Sequence, residues 1–297
     1  MRGFFVLAGS ALVLFLGGSA WIALYPPVPI DLAGAENLDA RARHVQIPLV
    51  DEDALDGWYL PPHNGAVVVL LHGYGRDHTH TWRYGGFLSH AGYGLLAFDF
   101  RSSRTASRVP TTLGYYELAD ARAALTWLRS QRGMRSAPVG LLGESLGGSI
   151  ALLAAAERDD IRAVVVDCAF ATGAQALEDA SERWAHVPRW PSAWLCRQMG
   201  RVLTGHDPGA LDAVAAAGAL RGRPVLFIHS LKDDRLSTSH PYALWEAAGR
   251  KDPLWIIADA GHNEGWIMHR ALYETRVRAF FDRHLLGRGP GLPSGKL

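Results

Sequence analysis

Residues 139–157 read VGLLGESLGGSIALLAAAE, and the fold is decided by how that stretch is parsed. Residues 139–142 form a short apolar run, as a buried strand does. Gly143-Glu144-Ser145-Leu146-Gly147 breaks it, and an Ala/Leu-rich helical run continues to residue 157. Ordinary packing does not need a serine between two glycines where a strand turns into a helix. A nucleophile does, because a sharp strand-to-helix turn lifts its hydroxyl clear of the sheet. Glycines at 143 and 147 relieve crowding, and the helix start supplies backbone N–H groups. G-x-S-x-G alone is a weak signal. With a strand before it and a helix after it, the signal is strong.

Outward from this turn the chain alternates. AVVVLLH (66–72), GLLAFDF (94–100), IRAVVVD (161–167), PVLFIHS (224–230) and PLWIIAD (253–259) each read as a buried strand. HVQIPLV and ALDGWYL flank Asp51-Glu52-Asp53 as an antiparallel hairpin. Residues 113–131 form an amphipathic helix with Leu118, Ala121, Leu125 and Leu128 on one face, and residues 273–285 a closing helix. Continuous apolar strands between helices indicate a mostly parallel sheet covered on both faces. More than fifty residues separate the strand ending at Asp167 from the one starting at Pro224. This insertion, about 170–222, is read as a small helical cap over the sheet edge where open α/β sheets bind ligands. Its Trp184, Trp190 and Trp194 are expected to overhang Ser145 and bind substrate, since large aromatic side chains suit an apolar acyl group. Extra structural helix is the competing reading of the insertion.

Residues 4–25 carry no charge, follow Arg2 and precede the helix-stopping PPVP. Twenty-two residues at about 1.5 Å rise each can span a bilayer core. Residues 1–25 are therefore read as a transmembrane anchor, with a cleaved signal peptide ending near Gly18-Ser19-Ala20 as the alternative. Either reading puts the catalytic domain outside the cytoplasm, membrane-anchored or else secreted or periplasmic. Residues 26–41 are read as a linker, 42–286 as the main domain and 287–297 as a loose tail. No catalytic motif lies in 4–25, so its deletion is expected to leave an active domain.

With 48% hydrophobic and 20% charged residues, a chain of 297 residues can build a sizeable core. A net charge of +1 with no basic run excludes nucleic acid as a natural partner. Two cysteines, Cys168 and Cys196, are too few for a disulfide framework, and their pairing stays open. His78, His80 and His90 lack a coherent ligand set, so no metal and no cofactor is expected.

A serine needs a base and oxyanion donors. Acid candidates Asp233 and Asp234 sit in IHSLKDDRL, just past a late strand, with Asp167 a more distant candidate. His262 sits in ADAGHNEGW, past the last strand. The chain order Ser, acid, His is one of the known triad orders. LLHGYGRD follows the first parallel strand, so the Tyr74 N–H can join the Leu146 N–H as an oxyanion hole. His72 and His229 read as structural, and Glu144 as a solvated or turn-stabilising side chain.

Taken together, His72-Gly73, Gly-Glu-Ser-Leu-Gly-Gly, the strand-loop acid and Gly261-His262 resemble the α/β-hydrolase superfamily, in its serine-hydrolase branch with a small cap. The resemblance covers about residues 42–286. It implies the α/β-hydrolase fold: an eight-stranded, mostly parallel sheet with helices on both faces. It implies acyl transfer to water through an acyl-enzyme. Carried over, Ser145 is the nucleophile, His262 the base and then the acid, and Asp233, favoured over Asp234 by the spacing from His229-Ser230, the residue that orients His262. FDFRSSRTAS departs from the glycine-rich turn of many relatives, in a loop beside the site. The expected activity is a serine-dependent carboxylic ester hydrolase acting on a small-molecule apolar acyl ester or thioester. A peptidase-like or amide hydrolase is the alternative, and an inactive membrane-tethered binding protein a further one.

Overall fold

The parallel β-sheet that the apolar runs imply is present in the computed structural model. It describes residues 18, 21, 23–29, 31, 39–50, 53–103, 109–220 and 222–288, residue 184 by its backbone only. The strands are β1 (Arg43–Pro48), β2 (Ala54–Leu60), β3 (Val67–Leu71), β4 (Gly94–Phe98), β5 (Val139–Glu144), β6 (Ile161–Asp167), β7 (Val225–Ser230) and β8 (Leu254–Ile257). They form one sheet in the order β1-β2-β4-β3-β5-β6-β7-β8. β1–β2 and β2–β4 pair antiparallel, and every other pairing is parallel.

The helices are α1 (His78–Gly85), α2 (Tyr115–Ser130), α3 (Leu146–Ala156), α4 (Gly173–Asp179), α5 (Arg189–Thr204), α6 (Ala213–Ala219), α7 (Ser239–Ala247), α8 (Gly265–Met268) and α9 (Arg270–Leu286). Strand alternation divides the core between two faces. Val67, Val69 and Leu71 of β3 join a cluster with Leu118, Leu125 and Leu128 of α2 and Ile150 of α3. Val68 and Leu70 join the opposite cluster, with Trp82 of α1 and Val277, Phe280 and Phe281 of α9. Gly140 is required by that second layer: a Cβ there would sit 2.7 Å from the Phe281 ring.

The insertion between β6 and β7 divides in two. Ala213 and Ala217 of α6 are fully buried in the first core cluster, so α6 is a crossover helix of the sheet. The cap is therefore smaller than the sequence suggests: α4, a π-helical turn (Ala180–Trp184) and α5.

Where they are described, both the end of the stretch read as an anchor or signal and the stretch read as a linker pack against the domain. Leu24 is buried, and the Thr111 N–H donates to its carbonyl at 2.8 Å. The Asp31 N–H donates to Thr79 Oγ1 at 2.9 Å, and Arg83 pairs with the Asp31 carboxylate. Most of the expected anchor or signal, and residues 289–297 of the expected tail, lie outside the described residues. Among the described residues no helix is long and apolar enough to cross a membrane.

Candidate active site

Ser145 sits between β5 and α3 with φ 50° and ψ −118°, a conformation that a non-glycine residue adopts only under constraint. Its neighbours explain how the chain holds it. A Cβ on Gly143 would meet the Gly147 carbonyl oxygen at 2.2 Å, and one on Gly147 would meet the Leu71 oxygen at 2.1 Å. Only glycine lets these backbones approach so closely. The Ser145 N–H donates to the Asp167 carbonyl at 2.8 Å, which ties the turn to β6.

The three sequence-derived triad candidates meet here. Ser145 Oγ lies 3.1 Å from His262 Nε2, and His262 Nδ1 lies 2.6 Å from Asp233 Oδ2. Asp233 Oδ1 accepts the backbone N–H groups of Arg235 and Leu236, each at 2.8 Å. With the carboxylate ionised, Nδ1 donates its hydrogen to Asp233 and the Nε2 lone pair faces the serine hydroxyl. Burial raises the Asp233 pKa, but the hydrogen bond and charge of His262 and the two backbone donors outweigh it, and the carboxyl titrates below its ordinary range. Asp234 is exposed. Asp167 accepts from the Tyr273 hydroxyl at 3.1 Å, and burial pushes its pKa up to about 7.

The oxyanion candidates flank the nucleophile. Leu146 is the first residue of α3, where a helix leaves its N–H groups without intrahelical partners. The loop bearing Tyr74 runs past the serine so closely that a Cβ on Gly73 would be 3.4 Å from Ser145 Cβ. His72 holds that loop: Nδ1 bonds the Gly73 carbonyl at 2.8 Å while Nε2 accepts the Phe100 N–H at 3.0 Å.

A cavity of about 310 Å³ opens beside Ser145 and His262. Tyr74, Leu113, Phe170, Leu177, Leu236 and Ile267 make its apolar wall, and Ala23 contributes from ahead of β1. His80, Arg76, Arg83 and Arg235 line its polar side. Of the tryptophans expected to cover the site, Trp190 and Trp194 do not. Trp190 is 77% exposed and Trp194 52%, and neither lines the cavity. α5 turns Ala193 and Gly200 inward instead, and Trp190 and Trp194 face out. The Trp184 side chain lies outside the described residues.

Two contacts had no sequence signal. Glu144, expected as a solvated or turn residue, is buried and bonds His80 Nδ1 at 2.5 Å. The Arg183 guanidinium, on the cap, donates to the Asp233 carbonyl at 2.6 Å. Partners 64 and 50 positions apart leave no local pattern to read. Cys168 and Cys196 are both free thiols.

Comparison with known proteins agrees with this architecture. Residues 66–195 match a family model described as alpha/beta hydrolase fold. The protein YqkD of Bacillus subtilis is 25% identical over 231 residues, 77% of this chain and 75% of that one. Human alpha/beta hydrolase domain-containing protein 17B is 24% identical over 204 residues, 68% of this chain and 61% of that one. Among solved structures, the Pyrococcus furiosus esterase Pf2001 superposes with a TM-score of 0.71 at 21% identity, covering 88% of this chain and 98% of the esterase. A Pyrococcus horikoshii acylaminoacyl peptidase superposes with a TM-score of 0.63 at 19% identity, covering 88% of this chain and 45% of the peptidase.

Proposed function

We propose that this member of the α/β-hydrolase superfamily is a serine-dependent hydrolase of apolar acyl esters or thioesters. The observation that carries the reading is the unbroken hydrogen-bond chain Ser145 Oγ, His262, Asp233. Ser145 Oγ attacks the acyl carbonyl while His262 Nε2 takes its proton, and the carbonyl oxygen gains a negative charge. The N–H groups of Tyr74 and Leu146 receive that charge. His262 then protonates the leaving alcohol or thiol, leaving an acyl-enzyme on Ser145. Water, deprotonated by the same nitrogen, releases the acid and restores the serine. Throughout, ionised Asp233 stabilises the imidazolium.

The cavity supports an acyl chain of short to medium length, since about 310 Å³ is at the small end of ligand pockets. Its polar side also bears on the leaving group. Among the described lining residues the carboxylate of Glu264 already accepts the Gly261 N–H at 3.0 Å, which leaves it occupied rather than facing the free ammonium of an aminoacyl substrate. That favours an ester over an aminopeptidase substrate. The uncharged stretch ahead of Ala23 is read as a tether that holds the domain at a membrane, while Ala23 and Leu24 pack into the domain itself.

The deciding experiment is a panel of p-nitrophenyl esters of rising chain length beside an aminoacyl p-nitroanilide. Ester turnover that Ser145→Ala abolishes, with covalent labelling of Ser145 by a fluorophosphonate, is the expected result. Faster turnover of the anilide, or no labelling, defeats the reading.

A further inference from the structure

Beside the triad acid Asp233 lie two buried side chains that the hydrolytic reaction does not use, Cys168 and His229. Cys168 is the first residue after β6, His229 lies near the end of β7, and Asp233 follows β7. All three are buried, and one ligating atom from each lies within 4.8 Å of the others. Cys168 is held at φ 50°, outside the regions that L-residues prefer, and its N–H is fixed to the Ile228 carbonyl at 2.9 Å. His229 is 0% exposed, yet neither ring nitrogen has a hydrogen-bond partner. Buried polar groups normally find a partner, so a buried imidazole with both nitrogens unpaired within the protein calls for one.

We propose that Cys168, His229 and Asp233 form a binding site for a thiophilic divalent cation of the zinc class, and that occupancy switches the triad off. Thiolate, imidazole and carboxylate are the ligands such an ion takes. Donor atoms around a tetrahedral ion lie roughly 3–4 Å apart, so closure from the present spacing needs only small side-chain shifts. On binding, the Cys168 thiol releases its proton to solvent. The ion forms bonds to the thiolate sulfur, one His229 nitrogen and one Asp233 oxygen, and water completes the shell. No electron changes hands. The inhibitory part rests on the hydrolase reading. A carboxylate shared with a dication has less negative charge to offer the His262 imidazolium, and it turns away from Nδ1.

The test uses the full chain with cadmium or zinc chloride. Cadmium bound to a thiolate gives an ultraviolet charge-transfer band, which reads the site without any substrate. One equivalent is expected to raise the band in wild type and in Cys196→Ser, where Cys168 is the sole thiol, and to raise none in Cys168→Ser. In parallel, zinc is expected to cut p-nitrophenyl acetate turnover at least about tenfold, reversibly with EDTA, while Cys168→Ser and His229→Gln resist it. Absence of the band in Cys196→Ser overturns the site, and that outcome needs no substitution of a buried residue. Equal zinc sensitivity in Cys168→Ser, or a band with undiminished turnover, overturns the switch. If no ester is turned over at all, the hydrolase reading fails while the cadmium band still decides the site.

Discussion

The Tyr74 hydroxyl donates to the carbonyl oxygen of Ala23 at 2.8 Å, tying the loop beside Ser145 to the chain ahead of the first strand. Ala23 also lines the cavity, and Leu24 behind it is buried. The sequence alone suggested that everything up to residue 25 is dispensable. The structure divides that stretch. Removing residues 2–20 is expected to leave KM for a p-nitrophenyl butyrate substrate unchanged in detergent solution. Removing residues 2–27 strips the wall and exposes a core that Leu24 covered, at a cost of about 2 kcal/mol. It is expected to raise KM several-fold and to lower Tm by several degrees. Identical behaviour of the two truncations would make residues 23–27 a passive connector.

Ser145→Ala and His262→Ala are each expected to reduce ester turnover on the order of 10³-fold or more, because each removes a group the transition state needs. Asp233→Asn presents His262 with the wrong hydrogen-bonding partner and is expected to be nearly as severe. Asp234 is exposed, and its asparagine variant should stay within about twofold of wild type. Steady-state kinetics on one ester compares all four. A worse Asp234→Asn than Asp233→Asn reverses the assignment of the acid.

Chain-length preference should follow the cavity wall rather than the exposed tryptophans. Leu177→Trp fills part of the cavity and is expected to lower kcat/KM for an octanoate ester at least about tenfold more than for acetate. Trp190→Ala and Trp194→Ala should leave the ratio of the two esters unchanged. A shifted ratio in either tryptophan variant would mean that α5 closes over the acyl chain when substrate is bound.

Asp167 links stability to pH. Its pKa, 3.8 in the free amino acid side chain, is raised by burial to about 7 in the folded chain. Between those values the folded state holds a proton that the unfolded state has released, so stability falls as pH rises through the window. Above pH 7 the buried carboxylate is ionised and its full cost is present. Asp167→Asn carries no such charge and can still accept from Tyr273. Its urea midpoint, relative to wild type, is expected to rise from pH 5 to pH 8. A constant difference between the two proteins at both pH values would mean that Asp167 is already ionised in the folded state.

What the sequence determined by itself was whatever local periodicity and glycine chemistry encode. The runs at 66–71, 139–142 and 163–166 are apolar throughout because their strands are covered on both faces, so they read directly as a parallel sheet. Ser145 was legible for the same reason, since a turn that tight tolerates only glycine at 143 and 147. His262 was legible from its place past the last strand. The spacing from His229-Ser230 in the resemblance favoured Asp233 over Asp234, and the tertiary structure shows the geometric reason. Adjacent residues on a loop point in different directions, and only the fold decides which carboxylate reaches His262 Nδ1. The cap misled for a related reason. Tryptophan is large and apolar, but a short two-sided cap has too little interior to cover every one, and α5 packs its small residues inward. The Glu144–His80 pair, the Ala23 wall and the Cys168–His229–Asp233 cluster join residues far apart in the chain. No periodicity records such distances, and only the packed sheet brings those groups together.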